Sequence, residues 1–344
     1  VYSPRFSITP YLLSLLSEIA VLRFQIDHFK IDLVWETQLQ SDTINRLAHA
    51  STSIEGNPLR LDEVGAISRN EPVSASLIAR LEVKNYLSAI REIWAKAPGA
   101  TITESDLFAL HRTLMEGVLP TEKIGRYKTL ANRIVNFKGE PVYFPPGPAQ
   151  TPTLTQEFLE WLNSKDALQL DPVMVSAIAH HRLVSIHPFL DGNGRISRAL
   201  GMWILHNRRA DNRHITALDE YFEKDRDLYY LKLQQARDLD DDLTYWLEYV
   251  ADGMRQTLTA VKLRLELVQV IPQSGYKLSA KQESVIRFLR DRSPASSSDL
   301  EGAFNISRAR VNQIIKPLVA QGIVHRTGNS RATRYSLPQI ERPQ

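Results

Sequence analysis

The sequence predicts a mainly α protein: a helical body bearing one small β-hairpin, followed by a C-terminal winged helix-turn-helix domain. Three observations carry this expectation. Apolar residues recur at helical spacing through most of the first 270 residues. One segment of the body is instead rich in β-branched and aromatic residues. Beyond residue 276 the pattern changes to three short helices and two short strands, and the chain turns basic.

The body elements follow in order. Tyr11 to Phe24 looks apolar, but Ser14, Ser17, Glu18 and Arg23 interrupt it, so it reads as an amphipathic helix rather than a signal peptide. Thr43 to Glu55 reads as a helix stopped by Gly56-Asn57-Pro58. Further helical runs are Leu77 to Trp94, Asp106 to Met115, Thr153 to Leu162, Val173 to Val184, Arg195 to Leu205, Leu228 to Leu233 and Leu243 to Val270. Ile134-Val135-Asn136-Phe137 and Val142 to Phe144 read as strands around a turn at Lys138 to Pro141. That hairpin is either packed decoration or a flap over a site. A linker near Ile271 to Gly275 separates the tail. The expected organisation is an N-terminal helical region (1–100), a core (101–270) and the winged-helix domain (276–344).

Composition bounds the function. The chain has 344 residues, 43% hydrophobic and 24% charged, as expected of a soluble globular protein. It has no cysteine, which excludes disulfides and thiolate metal sites and fits a reducing compartment, so a cytoplasmic location is expected. No apolar run approaches the ~18 residues needed to span a bilayer, so no membrane role is expected. From Lys277 onward there are 12 Lys and Arg against 5 Asp and Glu. A tail of net charge +7 on a mildly acidic body points to an anionic partner.

The segment richest in chemistry is His187-Pro188-Phe189-Leu190-Asp191-Gly192-Asn193-Gly194-Arg195-Ile196-Ser197-Arg198. Pro188 disfavours helix at His187, and apolar spacing resumes from Ile196, so Gly192 and Gly194 sit in a tight loop entering a helix. Such a loop presents backbone N–H groups and the positive end of the helix dipole to an anion. Arg195 and Arg198 are neighbours on the first turns, each disfavoured there by ~0.3–1 kcal/mol until an anion lies between them. Asp191 suits Mg²⁺ as a hard carboxylate ligand. His187 suits a general base near neutral pH. Each feature alone has a bland reading; all of them in order within one loop do not.

This segment resembles the signature of the Fic family, His-Pro-Phe-x-Asp/Glu-Gly-Asn-Gly-Arg-x-x-Arg, with every fixed position present. The resemblance covers roughly Thr101 to Val250. It implies a helical Fic fold that transfers AMP from ATP to a Ser, Thr or Tyr hydroxyl of a target protein, with Mg²⁺ as cofactor. By position, His187 resembles the base, Phe189 the buried anchor and Asp191 the metal ligand. Gly192, Asn193 and Gly194 resemble the anion cradle, with Asn193 near the α-phosphate; Arg195 and Arg198 resemble the holders of the β- and γ-phosphates. The hairpin with Ile134, Val135, Asn136 and Phe137 resembles the flap that aligns the target segment by strand-like pairing. The family often forms dimers, so a homodimer is a further expectation.

Ser51-Thr52-Ser53-Ile54-Glu55-Gly56 carries a second resemblance. On its own, Glu55 at a helix end reads as a solvated glutamate, disfavoured by the dipole unless a cation faces it. Beside the signature, Ser51, Glu55 and Gly56 resemble the Fic inhibitory motif, Ser/Thr-x-x-x-Glu-Gly/Asn. The resemblance implies that Glu55 pairs with Arg198, takes the γ-phosphate position and holds ATP unproductively. The same glutamate could instead orient water for AMP removal.

In the tail, Arg308, Asn312 and Lys316 share one face of the helix Ser307 to Gln321, with Val311, Ile314, Ile315, Leu318 and Val319 on the other. Pro317 challenges that helix. Arg326, Arg331 and Arg334 lie in or beside the wing. This layout fits a DNA recognition helix and a phosphate-touching wing; protein binding or dimerisation is the other reading. A regulator whose Fic body only senses nucleotide is therefore an alternative, although none of its catalytic positions is lost. No P-loop or protein-kinase motif occurs. A zinc site on His180, His181 and His187 has poor helical spacing, and the first two fit packing better.

Overall fold

Capping side chains mark most helix starts. Thr9 opens α1 (Pro10–Asp27), its hydroxyl accepting the Leu12 N–H at 3.0 Å, with Pro10 in the first turn. Asp32 opens α2 (Leu33–Ile54), Ser76 opens α4 (Leu77–Ala95), Thr103 opens α5 (Glu104–Met115) and Asp171 opens α8 (Pro172–Ile186) in the same way. A computed structural model describes residues 2–135, 141–211, 213–270, 278–328 and 332–337.

The remaining body elements are α3 (Leu61–Ser68), β1 (Ile134–Val135), β2 (Pro141–Tyr143), α6 (Thr151–Leu162), α7 (Lys165–Gln169), α9 (Asn193–Asn207), α10 (Asp219–Lys224), α11 (Arg226–Asp238) and α12 (Thr244–Val270). Helices α8 and α9 are buried almost all round, which identifies them as the central pair. Around them α1 packs on α12, α2 on α4 and α10, and α6 on α8. One apolar core runs continuously from Leu12 to Leu265, so the expected boundary at residue 100 is not a boundary of the core.

Two local expectations need correction. Helix α2 begins ten residues before Thr43. Its early turns bury Thr37, Gln38 and Gln40 beside Leu39, so the buried face carries no apolar rhythm to read. The hairpin pairs Ile134 with Tyr143 and Val135 with Pro141, so Pro141 starts a strand rather than ending a turn. Asn136 and Phe137 lie outside the described residues.

The C-terminal module has its own core, from Val285 to Leu337. It consists of α13 (Ala280–Asp291), α14 (Ser297–Phe304), α15 (Arg308–Ala320), β3 (His325–Thr327) and β4 (Arg334–Ser336). Strands β3 and β4 pair antiparallel, and Ala295 adds a bridge to Tyr335. Helix α15 continues through Pro317, burying Val311, Ile314, Ile315 and Leu318. Helix α13 rests on α2, where Arg290 donates to Gln40 Oε1 at 3.0 Å.

Candidate active site

The loop between α8 and α9 is built around a buried phenylalanine. His187 ends α8 in the left-handed conformation (φ 52°), which turns the chain sharply away from the helix. Phe189 is then fully buried and stacks on His111, with ring centroids 3.9 Å apart. The Asn193 carboxamide closes the loop: Oδ1 accepts the Phe189 N–H and Nδ2 donates to the Phe189 carbonyl, both at 2.9 Å. His111 Nε2 donates to the Asp191 carbonyl at 3.0 Å, while its Nδ1 accepts the Gly125 N–H at 2.9 Å. Both partners are thus met by a neutral ring, and burial pushes its pKa down to about 4. From the other side, Asn132 donates to the Phe189 carbonyl at 3.1 Å, and the Lys128 N–H donates to the Pro188 carbonyl at 2.9 Å.

Asn193, expected in the anion cradle near the α-phosphate, stands at the first position of α9; its carboxamide is buried and engaged with Phe189, so the side chain shapes the loop. What the helix entrance offers an anion is the set of first-turn N–H groups that no helix can satisfy internally. Gly192 makes the turn at φ 78°, and its N–H donates to Asp191 Oδ1 at 2.6 Å.

His187 is prepared to accept a proton. Its Nδ1 faces the Val184 carbonyl at 3.1 Å, so Nδ1 carries the hydrogen and Nε2 the lone pair. Burial lowers its pKa to about 4, with Lys128 and Arg237 pushing the same way against the Val184 carbonyl and Glu55.

The two arginines of α9 are each held by a glutamate from another helix. Arg195 donates to Glu82 Oε1 at 2.8 Å, and Glu82 Oε2 also accepts from Asn57, just beyond the Glu55 motif. Arg198 is completely buried. Its Nε donates to Ser51 Oγ at 2.7 Å, and its Nη2 to the Ser51 carbonyl at 2.8 Å and to Glu55 Oε1 at 2.7 Å. Burial works to raise the Glu55 pKa, but the charge and hydrogen bond of Arg198, with help from Arg195 and Arg226, outweigh it and hold the carboxyl low. Any side chain at Gly194 would run into the Glu55 carboxylate, which therefore lies directly over the N-terminus of α9. Gly56, with φ 92°, turns the chain just after it. Ser51, Glu55 and Arg198 are thus brought together as expected, and Tyr230 ties the same helix end by donating to the Ile54 carbonyl at 3.3 Å.

Asp191 points outward, 60% open, its Oδ2 3.8 Å from Arg195. His180 and His181 are buried structural groups: the first bonds the Tyr229 hydroxyl at 2.9 Å, and the second donates to the Leu233 carbonyl at 3.3 Å. The described residues contain no cluster of three or more metal-ligating side chains, and no helix among them is long and apolar enough to cross a membrane. On α15, Arg308, Asn312 and Lys316 share one exposed face, as expected. His111, Glu82, Lys128, Asn132 and Arg237 were missed; each lies far in sequence from the motif and carries no local pattern of its own.

Comparison with known proteins places this geometry. Residues 101–205 match the Fic/DOC family. The chain is similar to "Protein adenylyltransferase Fic" of Aedes aegypti, 33% identical over 212 residues, covering 60% of this chain and 40% of the relative. It is 30% identical to the Drosophila virilis protein of the same name over 263 residues, covering 74% and 51%. The chain thus spans about half or less of the length of these relatives. Among solved structures it is similar to a Fic family protein from Desulfovibrio desulfuricans G20, with TM-score 0.66, 25% identity and coverage of 99% of this chain and 100% of that one. The fold is also that of Fic-1 from C. elegans (TM-score 0.62, 24% identity, 75% and 73% covered).

Proposed function

We propose, on the premise that this chain belongs to the Fic family through residues 101–205, that it transfers AMP from ATP to a Ser, Thr or Tyr hydroxyl of a target protein and that Glu55 restrains the transfer. One observation carries the reading. The Glu55 carboxylate lies over Gly194 and bonds Arg198, so an acidic side chain stands where a helix N-terminus and an arginine would receive a phosphate. Withdrawing it frees both for ATP.

In the transfer, His187 Nε2 takes the proton of the target hydroxyl. That oxygen forms a bond to the α-phosphorus as the bond to the bridging α–β oxygen breaks, and pyrophosphate leaves. The first-turn N–H groups of α9, with Arg195 and Arg198, hold the phosphates in line. Asp191 fits Mg²⁺: its carboxylate is open to solvent beside the helix entrance. Bound there, the ion would spread the charge of the phosphates.

The direct test incubates Glu55→Gly with ATP and Mg²⁺ and follows pyrophosphate release together with a mass gain of one AMP unit on protein. AMP released from already modified protein by the chain with Glu55 intact, with no such gain in Glu55→Gly, would make removal the activity of this site.

The C-terminal module is proposed to be a winged-helix domain that binds double-stranded DNA. The exposed Arg308, Asn312 and Lys316 face on α15, opposite its buried face, supports this. Binding should weaken steeply with added salt; a flat salt response would favour a protein partner.

A further inference from the structure

We propose that Arg237 is a positioning residue for this transfer, pinning the hairpin to α8 two residues before His187. The inference rests on the AMP-transfer reading. Three contacts converge on one turn of α8. The Arg237 guanidinium stacks on the Tyr143 ring of β2, 4.1 Å from its centroid. Arg237 Nε donates to Ser185 Oγ at 3.1 Å, and the Tyr143 hydroxyl donates to the Ser185 carbonyl at 3.2 Å. Ser185 is thus gripped by hairpin and arginine together, and the chain reaches His187 two residues on.

The hairpin needs such a tie. Its described strands are two and three residues long, too short to hold a position unaided, and Val142 and Phe144 are exposed on it. The tie is made with a costly group. Among the described residues no carboxylate forms an ion pair with Arg237, and its Nη2 is buried without a hydrogen-bond partner. Burial lowers its pKa accordingly. A neutral side chain could bond Ser185 without desolvating a charge, but a guanidinium offers at once a flat face for Tyr143, an N–H for Ser185 and a second N–H for Gln234 Oε1 at 3.3 Å. The arrangement fixes where a hairpin-bound target hydroxyl lies relative to the His187 ring, and it leaves the phosphate seat at α9 alone.

The experiment compares Glu55→Gly with Glu55→Gly/Arg237→Ala, Glu55→Gly/Arg237→Lys and Glu55→Gly/Tyr143→Phe. It measures amide hydrogen exchange at Val142 and Tyr143, ATP affinity, and label transferred from α-labelled ATP to protein in a whole-cell lysate. Arg237→Ala should speed exchange in β2 and cut protein labelling by about 10- to 100-fold, as expected for a small misplacement of reacting groups. ATP affinity should stay within about twofold. Lysine should not rescue, and Tyr143→Phe should give a smaller loss because the stack survives. Unchanged β2 exchange in folded Arg237→Ala, or labelling that falls only in step with ATP affinity, overturns the positioning role. If Glu55→Gly itself labels nothing, the transfer reading falls and takes this role with it.

Discussion

The body and the C-terminal module use the same side chains to opposite effect. In the body, Arg195 and Arg198 are buried and each is bonded to a glutamate from another helix. In the module, Arg308 and Lys316 stand exposed, and among the described residues neither forms an ion pair. A buried cation must be held in one geometry, because an unpaired charge out of water is costly, so the body fixes where each guanidinium and its anionic partner stand. Exposed cations specify only a potential, which suits a polyanion read over many contacts. Placement, not composition, separates a built site from a charged surface.

The sharpest way to break this contrast is to remove a buried arginine. Arg198→Ala strands the Ser51 carbonyl and the Glu55 carboxylate; with a third of the Glu55 side chain open to solvent, the loss of stability in urea unfolding should sit near the lower end of the range, about 3 kcal/mol. A loss under about 0.5 kcal/mol, the usual surface value, would erase the distinction between the two regions.

Asn193→Ala probes the neutral part of the same construction. It removes two buried hydrogen bonds to Phe189, so about 1–3 kcal/mol should be lost, along with activity. Full activity in that variant would show that the Asn193 carboxamide does not hold the loop in its working shape.

Between pH 6.5 and 4, acid should act on the body through its buried histidines. Burial holds His111 and His187 near about 4 and His181 near about 3, all below the ordinary 6.5. The unfolded chain therefore binds protons first as pH falls below 6.5, and stability should drop steadily from there towards 4. For the same reason His187 stays neutral in this window, so the acid limb of the Glu55→Gly reaction should lie well below 6.5. A limb at 6.5 would mean that the ring is solvated in the working enzyme.

The smallest expected stability effect is in the module. Arg308→Ala and Lys316→Ala should each change stability by less than about 0.5 kcal/mol while lowering the salt dependence of the proposed DNA binding. A large destabilisation would show that this face is not a free surface.

The two regions were also legible to different degrees. The loop from His187 to Arg198 could be read because its chemistry is contiguous, and the partnership of Glu55 with Arg198 followed from a resemblance rather than from spacing. The residues that brace the loop could not be read. Lys128 and Asn132 are single polar residues whose role exists only once the segment after α5 lies against the end of α8 and the loop that follows it. The early turns of α2 were hidden because Gln38 and Gln40 sit where apolar residues would have shown the helical period. In the module the helices and strands followed from periodicity alone, since its small core is built from regularly spaced Val, Ile and Leu.

On the proposed reading, one carboxylate stands in the phosphate seat of an otherwise competent transferase. The most direct measurement gives wild type, Glu55→Gly and Glu55→Gly/His187→Ala the same α-labelled ATP and Mg²⁺, alone and with cell lysate. Freeing Arg198 of a charge-assisted bond should raise protein labelling about 10- to 100-fold in Glu55→Gly, and removing the base should abolish the gain. Equal labelling by wild type and Glu55→Gly, or labelling that survives the loss of His187, would contradict it.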